Sequence, residues 1–308
     1  NGITTIVPVG GVTSSNANGT YTMTQAGVWT FDPNNNLVNP ADATFSYTIT
    51  DGDGDPDTAL QPITIIDGKA LTATKNAAIT VDEEGLDTAN ALGSAENPLV
   101  VGEESTLERA SDTVTFLAGS DAITGMVFGS TALLTANVNG IAGNDIVWSA
   151  GGGTVITGTI GGLLAITITL TPILAGPTGT ATGTVNVVLS DNFPHINALG
   201  QNTITLTGLV VTASEADTTS ADATVTITVV DDIPDAVNDT AQSVAEDFVG
   251  TIGGTVMAND TQGADGAVVT SITVNGITTI VPVGGLTYSN ANGTYTMTPA
   301  GVWTFDPK

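Results

Sequence analysis

Ala223-Thr-Val-Thr-Ile-Thr-Val229 decides the fold. Threonine alternates with an apolar residue, so an extended strand sends Val225, Ile227 and Val229 to one face and the threonines to the other. One face is then ready for a core and one for water, the pattern of antiparallel sandwiches. The same alternation returns in Phe45-Ser-Tyr-Thr-Ile-Thr50, Leu164-Ala-Ile-Thr-Ile-Thr-Leu170 and Asn202-Thr-Ile-Thr-Leu-Thr207. Helix signals are almost absent. The 37 glycines, with the pairs Asn18-Gly19, Asn139-Gly140 and Asn292-Gly293, supply hairpin turns. The expected fold is all-β, built of antiparallel β-sandwich domains in tandem.

Tandem organisation is written into the ends. Residues 1–34 recur as 275–308, with substitutions only at Val12/Leu286, Ser14/Tyr288, Gln25/Pro299 and Asn34/Lys308. Repetition over so long a period means whole domains in series. Two similar junctions mark the boundaries: Pro62-Ile-Thr-Ile-Ile-Asp67 and Val225-Thr-Ile-Thr-Val-Val-Asp231-Asp232 each read as a last strand entering an acidic linker. We therefore expect one complete sandwich at 67–231, the later part of a repeat at 1–66, and the opening of another at 232–308. Joined, the two end pieces have the size of an immunoglobulin-like sandwich. Each piece holds what the other lacks, so the expected partners are neighbouring repeats or head-to-tail copies of the same chain.

Charge narrows the function. The 308 residues carry 31 acidic and four basic side chains, a formal charge of −27. Such a surface repels phosphate backbones and anionic membranes, which argues against nucleic-acid binding. No apolar run reaches the length of a membrane span, so direct membrane insertion is not expected. The 41% hydrophobic content speaks against disorder, and the absence of cysteine leaves packing and metal as the sources of stability. Lys69, Lys75, Arg109 and Lys308 are too few to neutralise the acids, and a divalent cation is the alternative.

Asp51-Gly-Asp-Gly-Asp-Pro-Asp57 is the sharpest candidate site. Asp51, Asp53, Asp55 and Asp57 alternate along a flexible loop, an arrangement that can wrap carboxylate oxygens round Ca²⁺. It differs from an EF-hand because position twelve is Pro62 and the flanks are strands. The competing reading is a hydrated acidic turn. Weaker clusters stand at the junctions: Asp67, Asp82, Glu83 and Glu84 at the first, and Asp231, Asp232, Asp235, Asp239, Glu246 and Asp247 at the second. Asp260 and Asp265 form a further loop, and Glu215, Asp217 and Asp222 approximate the Asp-rich loop one domain later. Metal at these places would stiffen the links between domains.

Enzymatic motifs fail. His195 is the single histidine, so no histidine metal site can form, and a Ser-His-Asp triad would need chance partners. Gly151-Gly-Gly153 has neither a helix nor a lysine after it, against a phosphate cradle. Gly140-Ile-Ala-Gly143-Asn144-Asp145 does not recur in tandem and reads as a hairpin rather than a calcium roll. Tyr21 and Trp29 read as core packing, not as a sugar platform.

Two stretches resemble a known family. Asp232-Ile-Pro-Asp-Ala-Val-Asn-Asp-Thr240, continuing through Val244-Ala-Glu-Asp247 to Val256-Met-Ala-Asn-Asp260, resembles the start of a cadherin-like (VCBS-type) repeat. Phe45-Ser-Tyr-Thr-Ile-Thr-Asp-Gly-Asp-Gly-Asp55 resembles the end of one. Val81-Asp-Glu-Glu-Gly85, Leu189-Ser-Asp191, Gly200-Gln-Asn202 and Thr226-Ile-Thr-Val-Val-Asp-Asp232 resemble another repeat of the giant type I secreted RTX adhesins of Gram-negative bacteria. In this middle repeat the usual Asp-rich loop is reduced to Ser214-Glu-Ala-Asp-Thr218. The resemblance implies tandem Ig-like or cadherin-like sandwiches outside the cell, stiffened by Ca²⁺, that project an adhesive tip for surface attachment and biofilm formation. It implies no enzyme. Two alternatives stand beside it: a self-assembling surface-layer or filament protein, and a middle domain that binds glycan or peptide.

Overall fold

The computed structural model describes residues 4–35, 37, 40–86, 108–134, 146–193, 200–264 and 266–308. Asp265, His195 and the stretch Asn139 to Asp145 lie outside them.

Alternation builds the central sandwich as expected. Val225, Ile227 and Val229 are at most 2% exposed, while their threonine neighbours face outward. Their strand, Ser220–Val230, forms a long antiparallel hairpin with Thr203–Glu215. Ile123–Phe128 flanks that hairpin on one side and Ala77–Asp82 on the other, giving a four-stranded sheet. The facing sheet has six strands, in the order Val147–Trp148, Val155–Ile160, Leu163–Ile173, Thr180–Leu189, Arg109–Leu117 and Thr72–Lys75. Between the sheets lies one continuous core, with Phe116, Phe128, Ile156, Ile168, Leu206 and Ile227 fully buried. Each such side chain contributes about 1.5–3 kcal/mol by leaving water.

Two departures from simple alternation have local causes. Ala165 and Ile166 are both buried, because the pairing of Val155–Ile160 with Leu163–Ile173 slips between Gly158 and Thr159 and makes Ala165 the extra residue of a bulge. The second departure is a parallel pair. Ala77–Asp82 runs parallel to Ser220–Val230, whereas Thr72–Lys75, just before it, pairs antiparallel with Arg109–Leu117 in the other sheet. The chain changes sheets at Asn76, whose Oδ1 accepts the Thr224 N–H at 2.8 Å. Asp112 braces the other side, with Oδ2 accepting the Ala78 N–H at 3.0 Å and Oδ1 paired with Lys75 Nζ.

The duplicated sequence folds twice into the same meander. Val12–Ser15, Gly19–Met23 and Trp29–Pro33 have the pairing of Leu286–Ser289, Gly293–Met297 and Val302–Pro307, with Tyr21 opposite Phe31 and Tyr295 opposite Phe305. The turn is an Asn device, since Asn16 Oδ1 caps the Asn18 N–H as Asn290 Oδ1 caps that of Asn292, both at 2.8 Å. Glycine is required next: a Cβ on Gly19 would lie 2.3 Å from the Asp32 carbonyl oxygen. The two copies differ in surroundings. The first is followed by the hairpin Phe45–Thr50/Pro56–Gln61, the second preceded by a strand, Ile252–Thr255, that pairs with Val302–Pro307.

Candidate metal centre

Seven charged side chains are buried among the described residues, and all seven are carboxylates: Glu83, Glu108, Asp121, Asp191, Glu215, Asp217 and Asp231. Every one belongs to the central sandwich, and they divide between its two ends. Burying a carboxylate without a compensating cation is expensive, so each end needs an explanation.

At the end where the chain enters, Asp67, Asp121 and Asp217 each place an oxygen within 4.8 Å of the others'. Three loops deliver them. Asp67 lies in the linker before the first strand, Asp121 follows Arg109–Leu117, and Asp217 occupies the turn between the long hairpin strands. One oxygen of Asp67 ties the linker to the Asp121 loop, and one oxygen of Asp217 closes its own turn. Asp67 Oδ1 accepts Ser120 Oγ–H, and Asp217 Oδ1 accepts the Thr219 N–H at 3.0 Å. Glu215 joins them, 3% exposed, accepting the Gly119 N–H at 2.5 Å and the Thr219 hydroxyl at 2.8 Å. Asp121 is different. It is 1% exposed, and its Oδ2 is buried with no hydrogen-bond partner. Burial raises its carboxyl above the ordinary range, and the negative charges of Asp217, Glu215 and Asp67 push it further. The donors are all hard oxygens, the set that suits Ca²⁺ rather than a transition metal.

The Asp51 loop also gathers, but in solvent. Asp51, Asp53 and Asp55 form a group of three, all exposed. Asp51 Oδ1 accepts the N–H groups of Gly54 at 2.9 Å and Asp55 at 2.8 Å, so part of its acceptor capacity closes the turn. A hydrogen bond with the Asp53 side chain, followed by these backbone donors, holds the Asp51 carboxyl below its ordinary value. Asp57 stands in the returning strand and accepts the Thr58 N–H, outside the group.

The far end of the sandwich collects the other predicted acids less tightly. Asp82 caps a single 3₁₀ turn, Glu83–Gly85, through the Glu84 N–H. Glu83 accepts the Phe193 N–H, and Asp231 Oδ2 accepts Asn202 Nδ2–H at 3.3 Å. Asp232 Oδ2 takes the Ala264 N–H at 2.9 Å, while burial and then the charges of Glu84 and Asp82 raise its carboxyl. Arg109 answers Glu108 here at 2.5 Å, one of two ion pairs among the described residues. Asp235, Asp239, Glu246 and Asp247 are exposed, and Asp260 is engaged in tying its loop to the segment at Val237, whose N–H it accepts at 2.8 Å. None of these joins two other described acids within ligand distance. Asp121 is the residue that sequence reasoning missed, since no acid stands near it in Ala118-Gly-Ser-Asp121-Ala.

Residues 2–64 match the bacterial Ig domain family. No curated protein matches the chain. The match and the antiparallel sheets agree on an Ig-like, all-β architecture. No helix among the described residues is long and apolar enough to cross a membrane.

Proposed function

We propose that this chain is a calcium-stiffened extracellular repeat segment of a bacterial surface adhesin, a spacer that carries an adhesive tip away from the cell. The observation that carries the reading is the buried, unpartnered Asp121 Oδ2 beside Asp67 and Asp217. Ca²⁺ held there by Asp67, Asp121 and Asp217, with Glu215 beside them, would offset the repulsion of three clustered charges. It would also tie the entering linker, through Asp67, to two loops of the sandwich. A linker so tied transmits direction from one domain to the next, which a spacer needs. The bacterial Ig match over residues 2–64 supports a surface repeat, and the Asp51 loop offers a second, exposed place for the same ion. RTX-type secretion fits a chain whose folding waits for metal outside the cell.

Thermal melting in millimolar Ca²⁺ and in chelator tests the reading. A ligand that binds the folded state alone stabilises it by RT ln(1 + [L]/Kd), about 2.7 kcal/mol at a hundredfold excess over Kd. A clear rise in Tm is expected with Ca²⁺. Superimposable melts would sink the proposal.

A further inference from the structure

Domains joined by a bare linker move relative to one another by default. The linker that leaves the central sandwich is not bare. Residues 231–238 run beside a loop of the following repeat, residues 259–264, and the loop grips them along their length. Asp235 and Thr261 exchange both backbone hydrogen bonds, at 3.0 and 2.9 Å. Asn259 Nδ2 donates to the Val237 carbonyl at 3.0 Å and to the Asn238 carbonyl at 3.2 Å, while Asp260 Oδ1 accepts the Val237 N–H. Pro234 fixes a backbone angle inside the gripped segment, so less freedom remains to be restrained.

The tip of the same loop reaches back to the sandwich. Asp232 Oδ2 accepts the Ala264 N–H at 2.9 Å. Ala264 is 1% exposed and joins the hydrophobic cluster that otherwise consists of the sandwich's own core residues. Gly263 is buried beside it, with φ at +77° and room for a Cβ only 3.3 Å from Asp232 Oδ2. One short loop is therefore bonded to the linker on one side and seated in the preceding domain on the other. Every contact is an N–H donor on an oxygen or an apolar packing contact, and a hydrogen bond of this kind is worth about 0.5–1.5 kcal/mol.

We propose that residues 259–264 form a lock that holds the following repeat at a fixed angle on the central sandwich without metal. The two joints of the molecule then differ in kind: with metal withdrawn, the one at Asp232 keeps its angle whatever happens at Asp67. The inference stands apart from the calcium reading, because it concerns the opposite end of the sandwich and needs no ion.

Spin-label distances across the joint test it. The chain has no cysteine, so two introduced thiols carry the labels alone. Thr205→Cys and Thr287→Cys place them at exposed strand positions on either side. Double electron–electron resonance on the full chain in chelator should give one narrow distance distribution, unchanged by millimolar Ca²⁺. Ala264→Asp forces a charge into the buried contact, and Asp232→Ala removes the acceptor. Each should broaden the distribution at least twofold in chelator, with the circular dichroism spectrum unchanged. Asp232→Asn keeps an acceptor oxygen and should preserve the narrow distribution, which separates the hydrogen bond from the charge. A parent distribution that is broad in chelator overturns the proposal, whether or not Ca²⁺ narrows it. So does a width that Asp232→Ala leaves unchanged.

Discussion

At the scale of single residues, two aspartates show opposite electrostatic logic. Asp121 is buried among like charges, and its carboxyl is pushed up. Asp121→Asn keeps its shape and removes the charge, so the calcium-free protein should gain about 1–3 kcal/mol, while the stabilisation by Ca²⁺ shrinks. Paired melts in chelator and in Ca²⁺ check both signs, and a variant that loses stability in both buffers would deny the site. Asp112 is held below its ordinary value of 3.8, first by its hydrogen bond with Lys75 and then by the Ala78 N–H. Its contribution is complete above pH 3.8 and disappears as pH falls through its lower folded value. Asp112→Ala should cost about 1–2 kcal/mol at neutral pH, since the side chain is 31% exposed but two backbone donors lose their acceptor. It should also flatten the acid limb of an unfolding curve recorded between pH 4 and about pH 2. The sequence displayed the acids but not their partners. Asp51 to Asp57 announce themselves by spacing, whereas Asp121 stands alone in sequence and gains its neighbours only when three loops meet.

Elements explain why the strands were legible and their assembly was not. Period-two patterning marks Ser220–Val230 and Thr203–Glu215 because one face of each meets a core and the other meets water. The exchange of sheets at Asn76 has no such signature, since one asparagine in an extended run looks like any polar strand residue. Its role depends on Thr224, far along the chain, and on Asp112 from the facing sheet. The Asn-Gly pairs point to hairpin turns, and the structure adds that Asn16 and Asn290 cap those turns while the glycines open the returning strands. The Asp51 loop is an element in its own right, a tight connection between Phe45–Thr50 and Pro56–Gln61. Asp53→Asn with Asp55→Asn keeps the turn, because Asp51 supplies its hydrogen bonds. Isothermal titration should then show one fewer class of Ca²⁺ sites, with the central sandwich melting as before. An unchanged isotherm would assign that loop to turn formation alone.

Across the whole molecule the question is whether charge acts diffusely or at sites. A formal charge of −27 repels itself, and any salt relieves part of that repulsion. At 0.5 M NaCl the screening length falls to about 4–5 Å, so exposed acids such as Asp235, Asp239, Glu246 and Asp247 cease to sense one another. Asp121 and Asp217 are shielded from that atmosphere by burial, at 1% and 4% exposure. Monovalent salt should therefore raise the melting temperature modestly, whereas millimolar Ca²⁺ should raise it further at the same ionic strength. Mg²⁺ should fall short of Ca²⁺, because it holds its water and demands a tight octahedron. The same comparison made by small-angle scattering reads stiffness directly. A linker tied through Asp67 to the sandwich should lengthen the largest dimension in Ca²⁺ relative to chelator, and Asp67→Asn should shorten it again without unfolding the sheets. Equal dimensions in NaCl, Mg²⁺ and Ca²⁺ would reduce the acidic surface to a solubility device and remove stiffening from its function.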